Sequence, residues 1–326
     1  MTVPEIRFSE PTHEGPRGQN DRPGDPPVDS TAIDTTVVAG SPGTTTRRRP
    51  RYRFAPGHRP RRRRMRRSGI AAAWILGCTT VVLILAPLIL QLSEVEVAGT
   101  PFTAPLGDQI LGTDSQGRDM LARTLVAMRT SWLAALVIIT IGVVVGGTIG
   151  LVAGFSGGIV DTILMRLTDA FLALPGPLVA LAVVAALGPS LRNALIAVAL
   201  TWWPWYARIV RSEVRSLMNR SHVEAARAGG LSRPRVAFVH VVPGTLSAVL
   251  VAASLDVGSV ILVLAGLSFL GLGSPPPAAE LGAMTAQGLT YLFNAPWVAV
   301  VPAIGLFALA VLANFVGDAA SDALEA

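Results

Sequence analysis

The chain has 326 residues, of which 51% are hydrophobic and only 15% charged, with a formal net charge of +6. A soluble domain carries about 25% charged residues, so the composition excludes an ordinary soluble enzyme and most disordered proteins. No lysine occurs, which excludes a Walker A loop, a Schiff-base site and a pyridoxal phosphate anchor. The single cysteine, Cys78, excludes an internal disulfide and a Cys-rich metal site. Set in an apolar run, it reads as a small buried packing residue.

Residues 1–67 hold 15 arginines and 7 acidic residues, a charge of +8, while the rest of the chain balances at −2. The stretch is rich in Pro, Gly, Thr and Arg and lacks apolar periodicity, which predicts a disordered tail. It ends in Arg61-Arg62-Arg63-Arg64-Met65-Arg66-Arg67, and an apolar run begins at Ile70. Basic residues beside a span hold that flank in the cytoplasm and attract anionic lipid. That reading is preferred to a nucleic-acid patch. A cleaved signal peptide is not expected so far from Met1.

Apolar runs near the ~20-residue bilayer length lie at about 70–92, 132–155, 170–187, 194–209, 245–270 and 297–316. They predict an all-α polytopic membrane protein with six transmembrane helices. The first helix falls within 68–95, an extracytoplasmic loop covers 96–131, and five helices make a core over 132–326 with an inner loop at 210–243. Pro175 and Pro177 are expected to distort the start of the third span. With the tail inside, inner segments carry 23 arginines and outer segments 4. This asymmetry places both termini on the inner side of the cytoplasmic membrane.

Gly142, Gly146, Gly150 and Gly154 recur every fourth residue in the second span and share one helical face. Lipid gives helices no hydrophobic reason to pair, so close approach through small residues makes such a face a packing seam. Its partner helix, in this chain or another, is left open. In the outer loop, Asp114, Arg118 and Asp119 suggest either an ion-pair network or a solvated turn. Asp169 is expected to anchor Arg166. Trp202, Trp203, Trp205 and Tyr206 suggest an interfacial aromatic belt or stacking against a bound molecule. Asp256, inside the fifth span, is a functional candidate by its position. It would face a pathway between the helices and meet a cationic group there, pair within the bundle, or be protonated. His222 and His240 lack the companions a metal site needs, so neither a metal nor a catalytic set is expected.

The inner loop carries the most specific pattern. Glu224-Ala225-Ala226-Arg227-Ala228 favours a helix, and Gly229-Gly230 ends it. Residues 233–239 predict a second short helix, and Pro243 suits the first turn of the fifth span. Ala225 and Ala226 would admit the surface of another protein, and Glu224 would supply a charge there. The shape is that of a docking knob. Glu-Ala-Ala, three residues, Gly230, then a hydrophobic stretch ending at Pro243 resembles the cytoplasmic signature of ABC importer permeases. Leu111-Gly112-Thr113-Asp114 with Gly117-Arg118-Asp119, the Gly154–Asp169 connector, and Phe269-Leu270-Gly271-Leu272-Gly273 resemble the C-type half of the dipeptide/oligopeptide/nickel group. The chain departs from that pattern at Gly244, Leu281-Gly282 and Ser321.

The resemblance implies a type I ABC importer permease fold, with Glu224, Ala225, Ala226, Arg227, Gly230 and Pro243 coupling the chain to ATPase subunits. It implies a B-type permease partner, two ABC ATPases or one fused ATPase, and an extracytoplasmic substrate-binding protein. ATP and Mg would be bound by the partners, and no cofactor or enzymatic activity is expected of this chain alone. The expected cargo is di- or oligopeptides. The alternatives are an importer of nickel or another small solute, and an ion-coupled secondary transporter using Asp256.

Overall fold

The computed structural model describes residues 77–107 and 109–325. The predicted tail over 1–67 and the start of the first predicted span lie outside them. Among the described residues no strand forms, and the outer loop contributes only two isolated bridges, Val97 with Arg118 and Thr113 with Asp119. The first helix, α1, runs Gly77–Ile89. Cys78 on it is exposed rather than buried. The helix meets the bundle along one edge, where the Trp132 indole donates to Thr80 Oγ1 at 3.1 Å. Val81, Val82, Leu85, Leu88 and Ile89 on it are exposed.

The second helix, α2, is Met120–Ser156. It begins twelve residues before the predicted span because Asp119 caps it, its carboxylate accepting from the Leu121 N–H at 3.0 Å. Residues 120–131 are good helix formers too polar to register as a span. Gly157, at φ +61°, turns the chain into α3, Gly158–Leu172. The helix α4, Gly176–Leu187, follows at a bend of 81°. The predicted third span over 170–187 is therefore two helices. Pro175 lacks an N–H and drives Leu174 away from helical geometry, so the ladder breaks there.

The helix α5 covers Leu191–Met218, capped by Ser190 Oγ accepting from the Asn193 N–H at 3.1 Å. It runs past the predicted end at residue 209 and well into the predicted inner loop. Val210, Val214 and Leu217 explain this, because they continue a buried helical stripe among the arginines. Then come α6, Ser221–Ala228, α7, Arg233–Val236, and a π-helical turn, Ala237–Val241. The chain continues without a break into α8, Val242–Phe269. It ends with α9, Leu281–Leu289, and α10, Trp297–Glu325. Three segments are long and apolar enough to cross a membrane: α2, the stretch Ala237–Phe269 and Trp297–Ala319; the bent α3–α4 pair makes up to four. The expected count of six is thus not reached on length and composition. The described part of α1 is short, and α5 carries Arg208, Arg211, Glu213 and Arg215 in its second half.

Two apolar clusters hold the bundle. The larger joins α2, α5, α8 and α10 around the fully buried Trp132, Tyr206, Ile261 and Leu309. The smaller joins the C-terminal part of α5 to α6, α7 and the start of α8 through Val214, Val223, Val236 and Val241. Between spans the gain comes from close packing, whereas a side chain withdrawn from water, as on the loop helices α6 and α7, stabilises by about 1.5–3 kcal/mol. The second cluster therefore fixes the short helix α6 to two long ones.

Candidate functional site

The site is built on α6 and the turn after it. Eight residues are too few to hold a helix in water on their own, so its position comes from packing and caps. Val223 is fully buried in the smaller apolar cluster. At the other end Gly230 has φ +85°, and the Leu231 N–H donates to the Ala226 carbonyl while the Gly230 N–H donates to that of Arg227. These two bonds form a Schellman cap, which requires a left-handed residue at the glycine position. No atom lies within 4 Å of a Cβ built there, so Gly230 is selected by φ rather than by space. Leu231 completes the cap by packing on the cluster.

This anchoring turns Glu224, Ala225, Arg227 and Ala228 outward, and Ala226 is half-buried. Among the described residues the Glu224 carboxylate has no partner. The result is a small-residue surface with one acid, held rigidly from behind. Pro243 is the second residue of α8, directly after the π-helical turn Ala237–Val241. Gly244 lies against α5: a Cβ there would be 2.8 Å from Leu217 Cδ1.

The second half of α5, which carries α6, is tied to α3 by ion pairs. Asp161 accepts from Arg211 through both guanidinium branches, the Nη2 contact being 2.8 Å, and also from Arg215. Asp169 pairs with Arg208 at 2.7 Å and not with Arg166. The reason is register: residues 208, 211 and 215 share one face of α5, opposite residues 161 and 169 of α3.

All four seam glycines face α5, a helix of this chain. A Cβ at Gly146 would lie 2.2 Å from the Trp203 carbonyl oxygen, and one at Gly150 would lie 2.5 Å from that of Ala207. Gly142 and Gly154 meet the side chains of Tyr206 and Val214 instead. Nearby, Asp256 Oδ2 accepts from the Tyr206 hydroxyl at 2.8 Å and from the Trp202 indole at 3.3 Å. These two aromatics therefore turn inward, and Trp203 packs edge-on to Phe171 with ring centroids 5.3 Å apart. Only Trp205 of the expected belt is exposed.

At the opposite end of α2, Asp114 pairs with Arg118 at 2.6 Å, and both are buried. Asp119 is not part of that pair, because it caps α2. Arg123, which sequence reasoning missed, takes the third place, 3.6 Å from Asp114, and donates to the backbone carbonyls of Glu94 and Pro277. The Trp297 indole donates to the Thr113 carbonyl at 3.1 Å and fastens this loop to α10. Beside it, burial pushes the Glu280 carboxyl up from its usual range, against hydrogen bonds from the Ser268 hydroxyl and the Ser274 N–H. A raised carboxyl favours the protonated folded state, so its contribution is lost as pH rises through the folded value. A Glu280→Gln chain is therefore expected to melt above the native chain at about pH 8, the gap closing toward about pH 4. A gap independent of pH in thermal melts would contradict this. Among the described residues no group of three His, Cys, Asp or Glu side chains gathers as a metal set.

Comparison with known proteins fits this geometry. A family model described as the binding-protein-dependent transport system inner membrane component matches residues 146–326. The dipeptide transport system permease protein DppC of Alkalihalophilus pseudofirmus is 35% identical over 266 residues, covering 81% of this chain and 88% of that protein. The di/tripeptide transport system permease protein DppC of Pseudomonas aeruginosa is 41% identical over 216 residues, 66% of this chain and 71% of the other. The nickel transport system permease protein NikC of Escherichia coli K12 is 39% identical over 226 residues, 68% and 80% respectively. Among solved structures, the inward-facing MetNI methionine ABC transporter shares the fold with a TM-score of 0.50 at 19% identity, over 63% of this chain and 97% of the other. An amino acid ABC transporter does so with a TM-score of 0.52 at 15% identity, over 62% and 94%.

Proposed function

The chain belongs to the family of binding-protein-dependent transport system inner membrane components, and from that membership we propose that it is a C-type permease subunit moving di- or oligopeptides across the cytoplasmic membrane. The observation that carries this reading is α6: an outward face of Glu224, Ala225 and Arg227 on a helix locked by Val223 to α5 and α8. Such an element suits force transfer, because a push on it moves two long helices instead of bending a loop. ATP and Mg would be bound by separate ATPase subunits, whose closure would drive α6 and tilt the helices around the pathway. A B-type permease would supply the other half of the pathway, and an extracytoplasmic binding protein would deliver the cargo. The six-helix, type I arrangement counts α1, the bent α3–α4 pair and the amphipathic α5 as spans, with both termini inside.

Asp256 is the pathway candidate in this reading, oriented by Tyr206 and Trp202. Membership in a binding-protein-dependent family sets aside the ion-coupled alternative. The 39% identity to a nickel permease favours one second reading, a nickel or small-solute cargo on the same machinery. The test is reconstitution of this chain with its second permease, ATPases and binding protein in liposomes. Labelled dialanine is expected to accumulate only with ATP and binding protein. Uptake that persists without ATP would overturn the proposal, and uptake of nickel in place of dialanine would establish the second reading.

A further inference from the structure

A cavity of about 300 Å³ opens at the N-terminal end of α2, where neither α6 nor Asp256 reaches. The helix has 37 residues and is about 55 Å long, and Phe155 and Ser156 at its other end line a cavity with Arg227 of α6. Asp114, Arg118, Arg123, Gln287, Thr290 and Tyr291 supply its polar lining. Met120, Met284 and Val298 add apolar surface between them. The volume sits at the lower edge of ligand-sized pockets, enough for one or two amino-acid residues.

Its polar wall is incompletely paired. Asp114 is saturated: Oδ1 accepts from the N–H groups of Gln116 at 2.7 Å and Arg118 at 3.0 Å, and Oδ2 accepts from Arg118 Nε at 2.6 Å. Arg118 spends only its Nε on that pair. Among the described residues its two terminal nitrogens meet no acceptor, although the residue is 6% exposed. Arg123, 3% exposed, uses Nη1 on two backbone carbonyls and leaves Nη2 without an acceptor among the same residues. Glu94 lies behind this wall, its carboxylate taken by the Ala279 N–H at 2.7 Å. The surface facing the cavity therefore carries two guanidinium groups and one carboxylate. These nitrogens are not sealed off, since among the described residues the buried side-chain polar atom without a partner is Thr124 Oγ1; they are open to water or to an anion entering the cavity. The planar fork of an arginine fits a carboxylate best.

We propose that this cavity binds the C-terminal carboxylate of a short peptide, with Arg118 and Arg123 holding the carboxylate, Gln287 and Thr290 at the mouth bonding the peptide backbone, and the methionines taking a side chain. The inference rests on the peptide-cargo reading. It adds to that reading a recognition step in the permease, far from the coupling helix and separate from the binding protein.

The test uses the assembled transporter in nanodiscs without binding protein. The probe is alanyl-photoleucine, a dipeptide carrying a diazirine, compared with its C-terminal amide. After irradiation, adducts are mapped by mass spectrometry. The free acid is expected to label the segments holding Met120, Met284 or Tyr291, with the amide and Arg118→Gln each lowering the yield by about tenfold or more. Arg118→Gln also deprives Asp114 of a partner, so Arg118→Lys is run beside it. That variant keeps a cation for Asp114 but loses the fork, and its labelling is expected to fall while its melting temperature stays native. Equal labelling by acid and amide, adducts confined to other segments, or adducts that need the binding protein would each overturn the site. Dialanine uptake by the same complex with binding protein is measured separately. Normal uptake without cavity labelling sinks this site alone, and absent uptake of any peptide sinks the cargo reading.

Discussion

Gly146→Ala is expected to separate α2 from α5 and leave the chain unable to assemble stably. A Cβ at that position would lie 2.2 Å from the Trp203 carbonyl oxygen, 2.9 Å from the Ala207 nitrogen and 2.9 Å from Tyr206 Cβ. Two of these atoms are backbone in the middle of a helix and cannot swing aside. The helices must move apart, and with them the fully buried Tyr206 and Trp132. Overpacking alone costs about 1–3 kcal/mol, and the void opened beside the new methyl adds to it. The control lies one residue away. Gly147 has the same helix propensity but is only half-buried, and its added Cβ would meet only Val210 Cγ2 at 4.0 Å. Gly147→Ala is expected to be neutral or slightly stabilising, since alanine is the better helix former. Melting temperature and yield of the two variants in the assembled complex decide the matter. Equal behaviour would show that the seam is not a close backbone contact.

Much of this arrangement was readable in the chain because it depends on local rules. The four-residue glycine spacing marks a face, and Gly229-Gly230 after a run of helix formers marks a stop; both signals act within a few residues. What the sequence hid depends on partners far along the chain. Trp202 and Tyr206 are four apart and share a face, a signal present in the sequence, but the carboxylate that draws them inward comes from α8, 54 and 50 residues away. Arg123 was passed over because polar residues before a span read as loop. The Asp119 cap places it instead on a helix, beside Asp114. The end of α5 differs from its apolar run for a similar reason. Hydropathy marks where lipid ends, whereas the helix continues as long as Val210, Val214 and Leu217 find apolar partners.

That continuation gives the proposed mechanism its lever. Within residues 202–215 the same helix interleaves the seam against α2, the aromatics that hold Asp256 and the arginines that grip α3, and α6 follows its end. A span of eight residues, Arg208–Arg215, thus makes three ion-pair contacts with α3. Exposed pairs such as Arg208 with Asp169 contribute little alone. Asp161 is different: it is buried, and it receives hydrogen bonds from two arginines. It ties α5 to α3 just before α6, so in the proposed mechanism a displacement of α6 would be carried along α5 and α3 together.

Glu224→Arg is expected to abolish transport while leaving the chain folded. The carboxylate is exposed, and among the described residues it has no hydrogen bond or ion pair to lose. It lies in the first turn of α6, so reversing its sign near the positive helix end costs about 0.3–1 kcal/mol. That is little beside the apolar cluster that holds the helix. In a docked complex the outcome differs. A reversed charge enclosed at a protein interface costs about 2–5 kcal/mol, which corresponds to a drop in coupled uptake of about thirtyfold or more. Val223→Asp supplies the contrast one residue earlier. It places a charge at a fully buried position and is expected to destroy the fold of the loop and the yield of protein. The two variants thus divide surface from support. Glu224→Arg should purify at native yield and melt like the native chain, yet fail to stimulate ATP hydrolysis or accumulate cargo in liposomes. If its uptake matched the native complex, the outward face of α6 would not be where force enters this protein.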